Sequence, residues 1–513
     1  MDEQESQFLD ELEAFLRRSE IGFLFSLHPN TTVTPGFTPP EPWLSWWGWA
    51  GEPTPNAEPK WRLLWRYYAQ DTPVDEGDFV HIPALLREYL RHARGLQLNR
   101  SQGAEATIPK RERRDGYTPT TKVFPRNVNL HGMSPKKTHE VQYMSKYAAN
   151  VLSDLAAHGT IVRHAVDVGA GQAYLSRALR DDCNISVLAV DWSSVQEEGA
   201  ARREQDAKRA QGKRKKVEGE NGQASSVSLD DTTTRLAYKK IVITADSLVT
   251  VTKEWTTKQS QRDFAHTSTE DSASNTPVIL VALHACGSLT LDVLRAFVRQ
   301  LRAAQEGEIS WRPAAGLVVG CCYNLLRQEG KLNPLILLTT GNLIVSFAES
   351  HLQLAAQMPL QWGRTDAALD DASLAVRKIA WRALLSGILS QNLEEQPFLS
   401  GRTRELRRLG RLSDSAYRGW EGFLTIAQEK LGVEMAGVAR DGVMESRLEV
   451  FHLLRCVLGP VVESFILLDR KLWLQEQLAS LGMCWQVRLV NLFDQSSGSA
   501  RNVGIVVVPR SSR

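Results

Sequence analysis

Two short segments of this chain carry histidine and cysteine at spacings that could do chemistry. They are His284-Ala285-Cys286-Gly287 and Gly320-Cys321-Cys322-Tyr323-Asn324. Both close apolar runs. If those runs are neighbouring strands, one histidine and three thiols converge at one end of a sheet. Three chemistries then compete. A thiolate is a good nucleophile when a neighbour lowers its pKa, so Cys286 or Cys322 would attack an electron-poor carbon. The same donors suit zinc, although adjacent cysteines rarely share one ion and the spacing matches no common zinc motif. Alternatively they are small, half-buried residues that shape a pocket, since free cysteine is among the most buried residue types. Tyr323 and Asn324 would orient a reacting partner in each case.

A second constellation lies upstream. Asp167-Val168-Gly169-Ala170-Gly171-Gln172-Ala173 ends an apolar run over 164–171, and a helix is predicted from about Tyr174. Glycines at the end of a first strand let the backbone turn tightly and approach a ligand. Asp191 closes the next apolar run, where a carboxylate accepts hydrogen bonds from ribose hydroxyls. Asp246 follows a third run, where it would either meet an adenine amine or cap a helix. A nucleoside-type cofactor is expected. Tyr174 occupies the sixth position of Gly-x-Gly-x-x-Gly, which breaks the dinucleotide fingerprint, and no Gly-Lys-Ser/Thr follows to cradle phosphate. The acidic-x-Gly-x-Gly pattern fits S-adenosylmethionine better, with Ala173 at the usual third glycine.

The elements that must position these residues are read from periodicity. Strands are predicted at 164–171, 185–192, 239–246, 278–287 and 316–324. They are apolar almost throughout, as parallel strands covered by helices on both faces are. A strong helix ending at Gly482 precedes two strands, CWQVRLVNLF and NVGIVVVP, joined by a turn-rich connector as an antiparallel hairpin. The stretches 199–235 and 256–277 are polar and poor in large apolar residues, and are expected to be disordered insertions. Residues 331–455 read as a helical insertion. Helices are predicted at 5–24 and 79–97, but not through the Pro/Trp-rich stretch between them. Its Trp43, Trp46, Trp47 and Trp49 either pack that stretch onto the protein or form an aromatic binding surface.

These residues resemble those of class I S-adenosylmethionine-dependent methyltransferases. MSPKKTHEVQYM (133–144), DVGAGQAYLSRAL (167–179), ALHACGSLT (282–290) and GCCYNLL (320–326) together resemble the methyltransferase-like, ribosomal RNA adenine dimethylase domain-containing family. The resemblance covers about 130–195, 239–250, 278–330 and 455–513. It implies an α/β, Rossmann-like seven-stranded methyltransferase core with an N-terminal accessory region (1–125). The core's first part (126–330) and its last helix and hairpin (456–513) would flank the helical insertion. It implies S-adenosylmethionine held by Asp167, Gly169, Gly171, Gln172, Asp191 and Asp246. A leading helix over the cofactor mouth would contribute Lys136 or Lys137, with His139 and Glu140. His139, His284 or Tyr323 would relay a proton, and the reaction needs no metal. His284-Ala285-Cys286-Gly287 stands where methyltransferases of exocyclic amines carry an Asn/Asp-Pro-Pro-Tyr turn, so an adenine acceptor is not implied. RNA cytosine methyltransferases carry cysteines after these same strands, which makes cysteine-dependent pyrimidine methylation an alternative. A non-catalytic binding module on the same fold is another.

Composition bounds the rest. Lys+Arg total 61 and Asp+Glu 59, a formal net charge of +2, so no uniformly basic nucleic-acid surface is expected. Local basic runs remain at 110–114, 208–216 and 402–411. In the last, Arg404, Arg407, Arg408 and Arg411 recur at helical spacing and are candidates for RNA phosphate contacts. An RNA or protein acceptor is expected. The chain's six cysteines are too few for a disulfide scaffold. The acidic start of the chain and the lack of long uninterrupted apolar runs predict an intracellular protein without a membrane span.

Overall fold

The computed structural model describes residues 3–53, 58–70, 79–103, 133–205, 235–264, 275–307, 311–326, 347, 349–395, 409–435 and 437–510. They form two compact units, each discontinuous in sequence. One comprises Met1–Glu5, Leu98–Glu349 and Phe465–Arg513, the other Ser6–Gln97 and Ser350–Ser464.

The first unit is built on one sheet. Its elements run α1 (Pro135–Ala157), β1 (His164–Val168), α2 (Tyr174–Cys183), β2 (Ser186–Asp191), β3 (Leu236–Lys240), α3 (Ala245–Phe264), β4 (Thr276–Cys286), α4 (Leu289–Gln305), β5 (Trp311–Cys321), the part of α5 (Gly442–Ser480) from Phe465 onward, β6 (Trp485–Asn491) and β7 (Val503–Pro509). The strand order is β3-β2-β1-β4-β5-β7-β6. β1 to β5 are parallel, and β7 runs antiparallel to both β5 and β6. The sheet is the expected α/β, seven-stranded Rossmann-like one. Its order reverses between β1 and β4, where the crevice at the carboxyl ends of strands receives ligands.

Every residue of β1 is buried, because helices cover both faces of the sheet. Val141, Met144, Ala148, Val151 and Leu155 of α1 recur at helical spacing and join Ala165, Ile279, Leu317 and Val506 in one core. Each such Val, Leu, Ile or Met side chain stabilises the fold by about 1.5–3 kcal/mol. Ser134 caps α1, its hydroxyl accepting from Lys137 N at 3.3 Å, and Pro135 takes the first helical position, where no amide donor is needed.

Several expectations are corrected. Strand β3 lies at Leu236–Lys240 rather than 239–246, and the apolar Ile241-Val242-Ile243 that suggested a strand is a connector with Val242 exposed. Residues 199–205 end a helix over 194–205, and 256–264 continue α3, so neither stretch is the disordered segment expected there. The rest of 199–235 lies mostly outside the described residues, as do 265–274. Among the described residues one helix, Gly442–Ser480, is long and apolar enough to cross a membrane by length and composition, but 94% of its most apolar stretch is buried, as in a core helix.

The second unit is helical. Its helices include Ser19–Ser26, Ala84–Gly95, Asp366–Glu395 and Trp420–Leu431. The Trp-rich stretch, where no helix was expected, forms one at Leu44–Gly51. Its prolines explain this: Pro39, Pro40 and Pro42 precede the helix and Pro53 follows it, so none removes an internal hydrogen bond. Trp43, Trp46 and Trp47 are buried in mutual contact, with Trp43 also packed on Phe451 at 5.2 Å. They pack the segment instead of forming a binding surface. Helix Lys60–Ala69 was not anticipated. Arg411 lies in an irregular segment after Gly410, not on a helix, while Arg404, Arg407 and Arg408 fall outside the described residues.

Candidate active site

The loop after β1 is a backbone device. Gly169 (φ 73°), Gly171 (φ 54°) and Ala173 (φ 56°) are all left-handed, so alternate residues turn the chain back on itself. Ala173 adopts this conformation at the usual third-glycine position, at the strain an alanine methyl brings there. Gly169 N and Ala170 N both donate to Val190 O, which ties the loop to the end of β2. Gly171 N donates to Asp191 Oδ2 at 2.9 Å, and Ser193 N to Asp191 Oδ1 at 3.0 Å. Tyr238 of β3 donates to Gly171 O at 2.8 Å. Asp167 is buried, and its Oδ2 accepts from Ser176 Oγ at 2.6 Å. Burial pushes the Asp167 carboxyl up to about 6 despite that hydrogen bond.

A cavity of about 470 Å³ opens at the β1/β4 crevice. Its wall includes Asp167, Gly169, Gly171 and Gln172 from the loop, Lys137 from α1 and His284 from β4. His284 reaches it because β4 carries an irregularity between Ala282 and Ala285 and because His284 takes φ 66°, uncommon for a residue with a side chain. Its Nε2 lies 2.9 Å from Oε2 of Glu140, a carboxylate of α1 that is only 2% exposed. Burial raises the Glu140 pKa, but the His284 hydrogen bond and charge, with Lys137 and Lys136, more than offset that and leave it below the ordinary value. A buried carboxylate thus fixes the histidine ring at the cavity wall. The second Glu140 oxygen, Oε1, is buried with no hydrogen-bond partner.

The cysteines converge as strand adjacency predicts. Cys286 and Cys321 are register partners on β4 and β5, with sulfurs 3.2 Å apart. Cys322 follows with φ 47°, and all three sulfurs lie within 4.8 Å of one another. The Cys321 hydrogen bond draws the exposed Cys286 thiol down to about 6, against the effect of burial and with help from Cys322, His284 and Lys137. The Cys321 thiol is pushed up by its hydrogen bond with Cys286 and by burial, and the Cys322 thiol by burial and the charge of Cys286.

The predicted residues divide accordingly. Asp167, Gly169, Gly171, Gln172 and His284 gather at the cavity. Asp191 supports the loop from beneath, and Cys286 and Cys322 stand beside His284. Lys136 is exposed and Lys137 takes the wall position instead. His139 points elsewhere: its Nε2 accepts from Asp494 N at 3.3 Å and its ring packs at a tilt against Tyr143. Burial lowers its pKa, favouring the neutral ring that such an acceptor requires. Asp246 is exposed and ion-paired with Arg299 of α4, away from the cavity wall. Tyr323 is buried under the Arg470 guanidinium, and Asn324 sits in a short 3-10 turn after β5. Sequence reasoning missed Ser176, which holds Asp167, and Arg203, whose Nε donates to Gln172 at 2.6 Å. It also missed Trp192, exposed directly after Asp191. A large apolar side chain following an acidic strand end was the available signal.

Residues 136–329 match the model of a family described as a methyltransferase domain. The sheet order and the glycine loop agree with that match, which covers less than half of the chain. Among individual proteins it resembles probable methyltransferase-like protein 25 of Mus musculus, 26% identical over 247 residues, which are 42% of this chain and 35% of that protein. The protein of the same name in Homo sapiens is 26% identical over 249 residues, 42% of this chain and 34% of its own. The match thus spans about a third of the length of these curated relatives. No solved structure matches the chain significantly.

Proposed function

We propose that the chain transfers a methyl group from S-adenosylmethionine to an RNA or protein acceptor. The observation that carries this is the β1/β4 cavity, which joins a left-handed glycine loop to a carboxylate-oriented histidine. The residues suit that cofactor. Gly169 and Gly171 place bare backbone at the cavity wall, and Asp167 offers a carboxylate to the cofactor's cationic end. Asp191, already accepting two amide hydrogen bonds, keeps lone pairs for ribose hydroxyls. Trp192 offers a face to adenine. Bound there, S-adenosylmethionine supplies an electrophilic methyl on its sulfonium.

The chain's own part is to bind, align and take a proton. When His284 donates Nε2–H to Glu140, Nδ1 carries the lone pair, so the ring is set in one tautomer as a general base. Glu140 orients the ring and stabilises the imidazolium that forms.

Calorimetry with S-adenosylmethionine is expected to show binding that Asp191→Ala removes. Glu140→Gln is expected to retain binding and to lower transfer of labelled methyl by about 100-fold or more. Label should enter the RNA or protein fraction of a cell extract, not the small molecules. Absence of binding overturns the cofactor assignment. Binding without label in any fraction makes the chain a binding module, and full activity in Glu140→Gln removes His284 as the base.

A further inference from the structure

The three cysteines at the ends of β4 and β5 are more closely gathered than a pocket wall requires, and the backbone around them is held in unfavourable conformations to gather them. His284 and Cys322 are non-glycine residues at φ 66° and 47°. Gly287 sits at φ 53°, and a Cβ there would lie 2.4 Å from the backbone oxygen of Leu325. Gly287 N donates to Cys321 O at 3.0 Å and Leu325 N to Cys322 O at 2.9 Å, which clamps the two strand ends together. Left-handed residues cost about 1–2 kcal/mol each and persist where the surroundings over-determine them, often at functional sites.

Adjacent cysteines in an extended strand point to opposite faces, so they rarely reach one ion. The left-handed turn at Cys322 removes that objection. It brings the Cys322 sulfur to the same side as those of Cys286 and Cys321, all within 4.8 Å. A zinc ion with sulfur at about 2.3 Å separates tetrahedral sulfurs by about 3.8 Å. The 3.2 Å between Cys286 and Cys321 must therefore open by roughly half an ångström to admit one. Two of the three cysteines are exposed, which gives an ion a route in.

We propose that Cys286, Cys321 and Cys322 bind one zinc ion through three thiolates, with the fourth tetrahedral position left open. Such a site is separate from the cofactor pocket in ligands but adjacent to it, because His284 lines the cavity two residues before Cys286. Three thiolates and an open position are the arrangement of a zinc that receives a donor atom from outside the protein, whereas a purely structural zinc closes its fourth position with a fourth side chain. Resting on the methyl-transfer reading above, the group so received is the acceptor.

The test uses the full-length chain, reduced with a phosphine under anaerobic conditions and titrated with zinc alone. One zinc per chain is expected. Cobalt in its place should give the near-ultraviolet thiolate charge-transfer absorption of a sulfur-rich site. Cys286→Ser and Cys322→Ser, both at exposed positions, should each weaken zinc binding by more than the roughly 10–100-fold that outer-sphere changes produce. Circular dichroism of each variant confirms that it is folded. Absence of stoichiometric zinc in the reduced wild-type chain overturns the proposal, and so does unchanged affinity in the two variants. A zinc-free wild type whose methyl transfer is lost in Cys286→Ser would make Cys286 a nucleophile instead. The zinc readout needs no S-adenosylmethionine, so it stands or falls independently of the cofactor assignment.

Discussion

In the helical unit, Arg455 extends one guanidinium nitrogen to the carbonyl oxygens of Leu24, Phe25 and Leu27. Glu445 accepts from Trp381 Nε1 at 2.8 Å and from Nε and Nη2 of Arg440. In the sheet unit, Glu140 leaves one buried oxygen without a hydrogen-bond partner, Asp167 is held at a cavity wall, and three thiols crowd together. The backbone divides the same way. Among the described residues, the non-glycine residues in left-handed conformation are Ala173, Asn184, Asn275, His284 and Cys322, all in the sheet unit. The helical unit turns with glycine, at Gly36, Gly410, Gly432 and Gly437. A unit that satisfies its buried charges and avoids strain is organised for stability. A unit that accepts both costs within one crevice is organised for chemistry.

Four substitutions bear on that contrast. The largest effect belongs to Glu449, a departure from it within the helical unit. Burial, with the Glu445 charge, pushes the Glu449 carboxyl up to about 8. A raised folded-state pKa favours folding most below the unfolded value, and this contribution is lost as pH rises through 8. Glu449→Gln should therefore match the parent at pH 4 and exceed it at pH 9 by at most about 5 kcal/mol, read by hydrogen exchange of peptides from this unit. Equal pH dependence in parent and variant would remove the buried charge from the account.

Asp167 has the same sign in the sheet unit. Its carboxyl is raised to about 6, so its favourable contribution is complete below about pH 4 and lost through pH 6. Asp167→Asn should stabilise the sheet unit at pH 8 by as much as about 3 kcal/mol while weakening S-adenosylmethionine binding. A variant that is both less stable and tighter-binding would contradict the division.

The smallest effects compare one substitution in two places. Gly432, at φ 70°, caps helix Trp420–Leu431, so Gly432→Ala should cost about 1 kcal/mol. Gly287→Ala adds a collision with a backbone oxygen and should cost about 3 kcal/mol. Similar costs, measured by urea unfolding, would mean that the cysteine loop relaxes freely.

Much of the sheet was legible because buried parallel strands are apolar along their whole length. β3 was misplaced for the complementary reason. It is an edge strand, half-exposed and carrying Tyr238, Lys239 and Lys240, so the more apolar connector after it gave the stronger signal. The glycine loop was legible because its conformation demands particular residue types at close spacing. The meeting of the cysteines followed once β4 and β5 were taken as neighbours. The Glu140–His284 pair was not legible as a pair, since nothing local links residues 144 positions apart. Asp246 stayed ambiguous in the sequence because the same residue suits a helix start and an adenine contact, and its Arg299 partner comes from another helix.

The strand order has a consequence for synthesis. β5 is complete at Cys321, but the strand that covers its free edge begins only at Val503. At about 5–20 residues per second, a ribosome needs on the order of 10–40 s to make the intervening chain. Throughout that time Leu317, Val318 and Val319 offer an unpaired apolar edge to any passing strand. Nascent chains of this protein should therefore depend on chaperones most heavily between the emergence of β5 and the emergence of β7.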